Sequence, residues 1–455
     1  MKTFIRQLTP VFLLSWYHLA LAATGAFLYR FPSKELVVIG VTGTNGKSTV
    51  VDLVTKIFEE AGCKTASLSS IRFKIGEKEW PNTLKMTMPG RFKLQKFLRD
   101  AVSAGCRYVV IEVTSEGIKQ WRHWGIDFDV AVFTNLTPEH IESHGSFEKY
   151  RGAKGRLFEA LKFQNANSNS QTNSKMQIPT HKRTKISIVN LDDEHAEYFL
   201  KFDADEIYGY TIENEKLYSK IQNVTKTLTA KRYTLLPLGI EFFVDNTPFR
   251  LKLHGEFNVY NALAAICVGV SQEIDLGIIK HALEKIETVP GRFEIVIEKP
   301  FLVIVDYAHT PDALKNVYET VMSPYPKPYT LNPRMICVLG AAGGGRDKWK
   351  RPELGRIAEE YCGEIILTNE DPYDENPDVI LEEIAAGFSQ TPKYQKIFDR
   401  REAISRALSF ARQGDIVVIT GKGCEPWMMV AGGKKIHWDD RRMVREELTR
   451  LKIGI

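Results

Sequence analysis

The sequence predicts an α/β protein. A P-loop central domain with a mostly parallel sheet is followed by a C-terminal Rossmann-like α/β domain, and an apolar helix stands at the N-terminus. Three observations carry this expectation. Apolar strand-like runs alternate with helical patterns from Leu36 onward, the signature of a parallel sheet with covering helices. A glycine turn ending in Gly46-Lys47-Ser48-Thr49 joins the first of those strands to the first helix. Residues 11–29, "VFLLSWYHLALAATGAFLY", contain no Lys, Arg, Asp or Glu.

In chain order, the N-terminal segment, 1–33, comes first. Lys2 and Arg6 precede its apolar stretch, and Arg30 and Lys34 follow. Three readings compete: a cleaved signal peptide, a membrane anchor, or a helix packed on the fold. Export would part a nucleotide-binding protein from its nucleotide. The anchor reading is preferred, with membrane association through residues 11–29, and the packed helix is its competitor. Basic residues on both flanks leave the orientation of an anchor open.

The central domain is expected over 34–288 and the C-terminal domain over 289–455. Strands are expected at 36–39, 108–111, 130–133, 186–189, 303–305, 335–339, 365–368 and 416–420. Helical patterns fall at 50–61, 92–104, 257–271 and 311–321. Residues 164–185 are polar, rich in Asn and Ser and without period, as in a mobile surface insertion. At 455 residues, two large domains or about three ordinary ones are accommodated. An apolar fraction of 44% and a charged fraction of 26% suit a globular protein with a sizeable core. A net charge of +5 is small for this length and makes no case for nucleic acid. The six cysteines are far apart, without a C-x-x-C pair, which excludes a zinc ribbon and reads as free thiols in a reducing cytosol.

The loop "VTGTNGKST" (41–49) is built for phosphate. Gly43 and Gly46 let backbone N–H groups approach phosphate oxygens, with Thr44, Asn45 and Thr49 beside them. Lys47 supplies charge at the β/γ-phosphates, and the Ser48 hydroxyl can ligate Mg²⁺. Val41 stands where the strict pattern wants its first glycine.

This variant of the loop resembles that of the Mur ligases and folylpolyglutamate synthetases. Further motifs follow in order: "IEVTSEGIKQWR" (111–122), "FTNLTPEHIESHGSFEKYRGAKGRLF" (133–158), "HGEFNVYNALAA" (254–265), "VPGRFE" (289–294), "VDYAHTPDAL" (305–314), "GGGRDKWKRP" (343–352) and "TGKGCE" (420–425). Together they resemble the MurE branch of the Mur ligases over residues 36–450. The resemblance implies an ATP-dependent amide ligase that turns a carboxylate into an acyl phosphate and lets an amine attack it. Such chemistry gathers several negative charges, so cations should dominate the site.

The implied roles attach to particular residues. ATP and Mg²⁺ are the implied cofactors; a muramoyl peptide and an amino acid are the implied substrates. Ser48, Glu112 and His140 match metal-shell positions. Lys154 matches a lysine that reacts with CO₂, turning a cation into an anionic oxygen ligand. Arg292 would reach the γ-phosphate. Asp306 and His309 follow a parallel strand, at the end where α/β ligand sites lie. Asn258 and Asn261, i and i+3 on one helix, would present amides to adenine. Lys47, Lys154, Arg292 and His309 form the implied catalytic set. Thr87, Thr114, Gln120 and Arg122 match acyl-substrate contacts; Arg346, Asp371, Tyr373, Gly421 and Glu425 match the amino-acid side.

Two departures matter. Fewer residues precede the first strand than the usual UDP-gripping domain needs, so UDP recognition as usually built is expected to be absent. Where diaminopimelate-adding relatives have "DNPR", this chain has "EDPY" (370–373), with Tyr373 in place of the arginine. The alternatives are a ligase of lipid-linked muropeptides, a folylpolyglutamate-type ligase, or a non-catalytic nucleotide-binding scaffold. The expected location is the cytoplasm, at the inner face of the membrane if residues 11–29 anchor the chain.

Overall fold

The structure is a computed structural model that describes residues 11–84, 86–162, 183–212, 224–236, 239–323, 333–389 and 393–453. Strands β1 (Val37–Thr42), β2 (Thr65–Leu68), β3 (Arg72–Ile75), β4 (Lys78–Pro81), β5 (Tyr108–Glu112) and β6 (Val130–Phe133) belong to a first sheet. It is extended by β7 (Ile186–Asn190), β8 (Glu206–Ile212), β9 (Lys226–Leu236), β10 (Gly239–Val244) and β11 (Thr247–Leu251). The spatial order is β11-β10-β9-β8-β7-β6-β1-β5-β2-β3-β4. From β2 through β9 the pairings are parallel, while β10, β11, β3 and β4 turn back antiparallel at the two edges.

β1 lies inside this sheet because both of its faces are apolar, as a parallel strand covered by helices requires. Ile39 and Val41 face one core with the helices Lys47–Glu60 and Glu256–Ser271. Val38 faces the other, with the helices Arg91–Ser103 and Phe147–Lys162. Gly40 lets that last helix approach, since a Cβ there would stand 2.8 Å from Leu157 Cδ1.

A second sheet holds β12 (Glu294–Ile297), β13 (Leu302–Asp306), β14 (Met335–Leu339), β15 (Glu364–Leu367), β16 (Tyr394–Lys396) and β17 (Ile416–Thr420). Its order is β12-β13-β17-β14-β15-β16, with only β12 antiparallel to its neighbour. A hairpin of β18 (Trp427–Val430) and β19 (Lys434–His437) follows. The α/β class and the second parallel sheet agree with the sequence reading, and every strand expected from it lies within or against one of these strands.

The structure corrects two expectations. Among the described residues no helix is long and apolar enough to cross a membrane. The N-terminal helix Val11–Leu28 instead packs on the helix Arg91–Ser103 and buries Ala22 and Ala26. Trp121 Nε1 donates to Ser15 Oγ at 2.8 Å, and Arg99 donates twice to the carbonyl of Tyr29. Small residues on one face make this close packing possible, and hydropathy alone does not report which face they occupy. Second, Cys337 and Cys362 are joined by a disulfide, while Cys63, Cys106, Cys267 and Cys424 are free. Adjacent strands β14 and β15 bring the pair together, with Cα atoms 6.0 Å apart despite a separation of 25 residues. The expected insertion, 164–185, lies outside the described residues except for 183–185. Lys185 is buried and donates to Asp127, Asp129 and the carbonyl of Phe128.

The second sheet carries a charged pair with no exposed side-chain surface, Arg400 and Asp440. Arg400 donates from Nε at 2.8 Å and from Nη2 at 2.7 Å, and Trp438 Nε1 also donates to Asp440. Removing one partner strands the other charge in apolar surroundings. Asp440→Ala should therefore cost about 3–5 kcal/mol, read as a lower urea midpoint with an unchanged m-value.

Candidate active site

The loop between β1 and the helix Lys47–Glu60 opens on a cavity of about 960 Å³ lined by both sheets. Gly46 adopts φ 82°, and a Cβ there would stand 2.3 Å from Asn261 Oδ1. A side chain is thus excluded twice over, by conformation and by space. Thr44 turns inward, its hydroxyl bonded to the Thr137 carbonyl and the Tyr150 hydroxyl. Asn45 receives its shape from Asn135, whose Oδ1 accepts from the Asn45 N–H at 2.8 Å. The Asn45 amide donates across to Asp312 Oδ2 at 3.0 Å, on the helix that follows β13.

Lys47 Nζ donates to the Thr44 carbonyl at 2.6 Å. Burial pulls its pKa down and Arg292 adds to this, against the pull of Glu112 and Glu139. Ser48 Oγ donates to Glu112 Oε2 at 2.8 Å and lies 2.8 Å from Ser70 Oγ. Glu112 closes β5, in parallel register one strand from the loop. Arg292 reaches from the other sheet, donating to Ser48 Oγ at 3.2 Å and Ser70 Oγ at 3.1 Å, its guanidinium over the Tyr307 ring. An oxygen cluster, an ammonium and a guanidinium therefore converge where a triphosphate would end.

Lys154 lies behind the loop rather than in the cavity wall. It is 2% exposed, and its Nζ donates to the Gly43 carbonyl at 2.5 Å. Burial, reinforced by Lys47, holds its pKa well below the usual lysine range. His140 lines the cavity beside Glu139, with burial pulling its pKa down. Among the described residues no three His, Cys, Asp or Glu side chains gather as a metal cage.

Thr87, Thr114, Gln120 and Arg122, expected to contact the acyl substrate, all line the cavity. Thr114 caps a short helix, and Arg122 Nη2 donates to Gln120 Oε1 at 2.8 Å. Arg346, Asp371, Tyr373 and Glu425, expected on the amino-acid side, line it as well. Asp306, at the end of β13, accepts from the N–H groups of Phe293 and Ala308, both at 2.6 Å. His309 is held between the Tyr307 carbonyl at 2.9 Å and Glu139 Oε1 at 3.2 Å.

Besides Lys154, three expected residues stand off the wall, Gly43, Asn258 and Gly421, the first of them against Thr134. Asn258 is not in the wall: its amide donates to the His254 carbonyl, and its oxygen accepts from Asn261. It orients Asn261, which does face the cavity. Gly421 is set back as well, with Glu370 against its α-carbon. Sequence reasoning missed Glu139, Glu370 and Trp427, all of which line the cavity. Glu139 was signalled only by its place before His140. Burial works against its charge, yet His140, His309 and Lys350 hold its pKa well below the usual carboxylate range. Trp427 Nε1 donates to the Thr83 carbonyl at 3.1 Å, linking the β18–β19 hairpin to the loop that carries Thr87.

Comparison with known proteins assigns the architecture. The profile of the Mur ligase middle domain matches residues 41–269, and that of the Mur ligase glutamate ligase domain matches 291–423. The chain belongs to the Mur ligase family. It is 38% identical to a UDP-N-acetylmuramoyl-L-alanyl-D-glutamate–2,6-diaminopimelate ligase of Syntrophomonas wolfei, over 94% of this chain and 81% of that one. It is also 38% identical to a UDP-N-acetylmuramyl-tripeptide synthetase of a Roseiflexus species, over 96% and 83%. A solved diaminopimelate ligase of the same description superposes with a TM-score of 0.57 at 29% identity, covering 92% of this chain and 79% of that one. A folylpolyglutamate synthase of Mycobacterium tuberculosis, solved with ADP and AMPPCP, gives 0.66 at 16% identity, over 89% and 92%, a likeness of fold alone.

In this Mur ligase the ammonium of Lys47 is the one loop cation, and phosphoryl transfer leans on such charge. Lys47→Ala should lower ATP turnover roughly 10²–10³-fold while the nucleotide-free protein melts no earlier. Retained turnover would place the nucleotide elsewhere.

Proposed function

We propose that this chain joins an amino acid to a muramoyl peptide at the expense of ATP, as a MurE-like ligase in peptidoglycan precursor synthesis. The observation that carries the reading is the single cavity on which the phosphate loop, the acyl-side residues and the amine-side residues all open. The relatives, a muramoyl-dipeptide–diaminopimelate ligase and a muramyl-tripeptide synthetase, point the same way. A folylpolyglutamate-type acceptor has only a fold likeness in its favour. A ligase that consumes ATP works where ATP is, which supports a cytoplasmic location.

In this reading the acyl carboxylate, placed by Thr87, Thr114, Gln120 and Arg122, attacks the γ-phosphorus and ADP departs. Lys47 and Arg292 neutralise charge on the transferring group. The amine then attacks the acyl carbon of the acyl phosphate and inorganic phosphate leaves. His309, steadied by Glu139, stands at the amine side to take the proton that the nitrogen sheds.

Mg²⁺ fits the donor set: Ser48 Oγ and Glu112 are hard oxygen ligands, and Mg²⁺ binds through one or two carboxylates plus substrate phosphates rather than a protein cage. When bound it would template the triphosphate and neutralise its charge. Glu112 and Ser48 would hold one ion, and His140 with Lys154 would serve a second. For Lys154 to serve, its neutral amine adds to CO₂, forming an N–C bond and releasing a proton, which yields an anionic carbamate. The depressed pKa of Lys154 supplies the neutral amine this needs.

Lys154→Ala should lose activity by roughly 10²-fold or more, and short carboxylic acids should restore part of it by occupying the vacated space. Phosphate release with a soluble muramoyl peptide and an amino acid measures both. Full turnover in the variant would remove Lys154 from the site.

A further inference from the structure

Glu139 and His140 line the cavity, and the four-residue helix Ile141–His144 follows them directly. The first N–H groups of a helix have no partner within it. His140 stands at the N-cap position, at φ 56° and ψ 24°, and its side chain does not cap. The cap comes instead from the far side of the cavity. Asp347 Oδ2 accepts from the Ile141 N–H at 3.2 Å, and Oδ1 from the Glu142 N–H at 2.9 Å. Lys348 returns the contact, its N–H donating to Glu142 Oε1 at 2.8 Å.

Asp347 is 4% exposed and sits on the loop that leaves β14 in the second sheet. That loop is fixed to its own sheet's domain. The Gly343 N–H donates to the Asp371 carbonyl at 2.8 Å, and the Gly345 N–H to Glu375 Oε1 at 3.4 Å. A further contact from the same side is His309 Nε2, 3.2 Å from Glu139 Oε1. The first sheet's domain holds the other end of the helix, where Ser143 Oγ donates to Glu116 and the His144 ring meets that of Tyr150. A non-glycine residue keeps a left-handed backbone only where its surroundings over-determine it. At His140 those surroundings include the Tyr150 ring before it in space and the Asp347 cap just after it in sequence.

Taking the ligase reading as given, we propose that Asp347 is a positioning residue for the reaction, setting Glu139 and His140 against the cavity by holding the N–H groups of Ile141 and Glu142. Its carboxylate acts through the backbone, so it governs where two side chains stand rather than their chemistry. Glu139 in turn steadies His309, and a displaced segment would loosen that contact. Two N–H groups need two acceptor oxygens, which a carboxylate has and a carboxamide lacks. Because one domain supplies the cap and the other the helix, the segment takes its place as the two meet.

The test compares the full chain with Asp347→Asn, which keeps the volume and turns an NH2 toward one of the two N–H groups. Amide hydrogen exchange is read on the nucleotide-free protein, over 139–145 and over β1 as the measure of global opening. Phosphate release is read with ATP, UDP-muramoyl dipeptide and a panel of L-amino acids with meso-diaminopimelate. Exchange over 139–145 should quicken about 10-fold, the scale of one charge-assisted hydrogen bond, with β1 unchanged. The variant's kcat should fall about 10–100-fold, as displaced catalytic geometry does, with little change in any KM. Unchanged exchange over 139–145, an unchanged kcat despite faster exchange there, or β1 exchanging faster as well overturns the proposal. A parent that releases no phosphate with any amine sinks the ligase reading instead. The exchange difference alone then decides whether Asp347 holds the segment.

Discussion

Two lysine amines drawn away from water on either side of one loop set the terms for the rest of the site. Lys47 and Lys154 both lose water on folding, and the proximity of Lys47 weakens the charge on Lys154 further. Such an arrangement is unfavourable unless anions arrive. Glu112 and Glu139 provide part of the compensation from strand and loop ends. The triphosphate of a nucleotide would provide the remainder. The parallel sheet makes the crowding possible, because β1 and β5 deliver the loop and Glu112 at the same edge in adjacent register.

The second sheet answers with the opposite geometry. It supplies Arg292 beside Ser48 and Ser70, and lines the cavity with both acids and cations, Glu370 and Lys350 among them. Asn45 donating to Asp312 joins the phosphate loop to this second sheet. The phosphate loop and the helix that follows β13 are therefore tied directly, side chain to side chain.

Much of this was legible in the sequence. Fully apolar runs announce strands covered on both faces, which is why β1, β5, β6, β7, β13, β14, β15 and β17 could be read directly. β9 could not: "KTLTAKRYTLL" buries only its Leu228–Thr229–Ala230 stretch, leaves its other positions exposed or half-buried, and carries no apolar run. The phosphate loop was legible because only a few residue types tolerate its backbone. Glu370 was not, since an acid in "NEDPY" reads as an ordinary turn residue until the fold buries it in the cavity wall. Asn258 and Asn261 looked equivalent on one helix face, and only their mutual hydrogen bond ranks them, one as wall and one as support. The N-terminal helix misled because hydropathy reports how apolar a stretch is and not what covers it.

Several long-range ties in this protein end on main-chain carbonyls. Trp427 donates to Thr83, Lys154 to Gly43 and Arg99 to Tyr29, each accepted by backbone oxygen. Every amino acid carries that oxygen, so the accepting position can drift in evolution without breaking the tie. The burden of preservation falls on the donor alone. A family built this way can rewrite the loop around Thr83 to suit a new acyl group and still keep its hairpin docked, provided the indole stays.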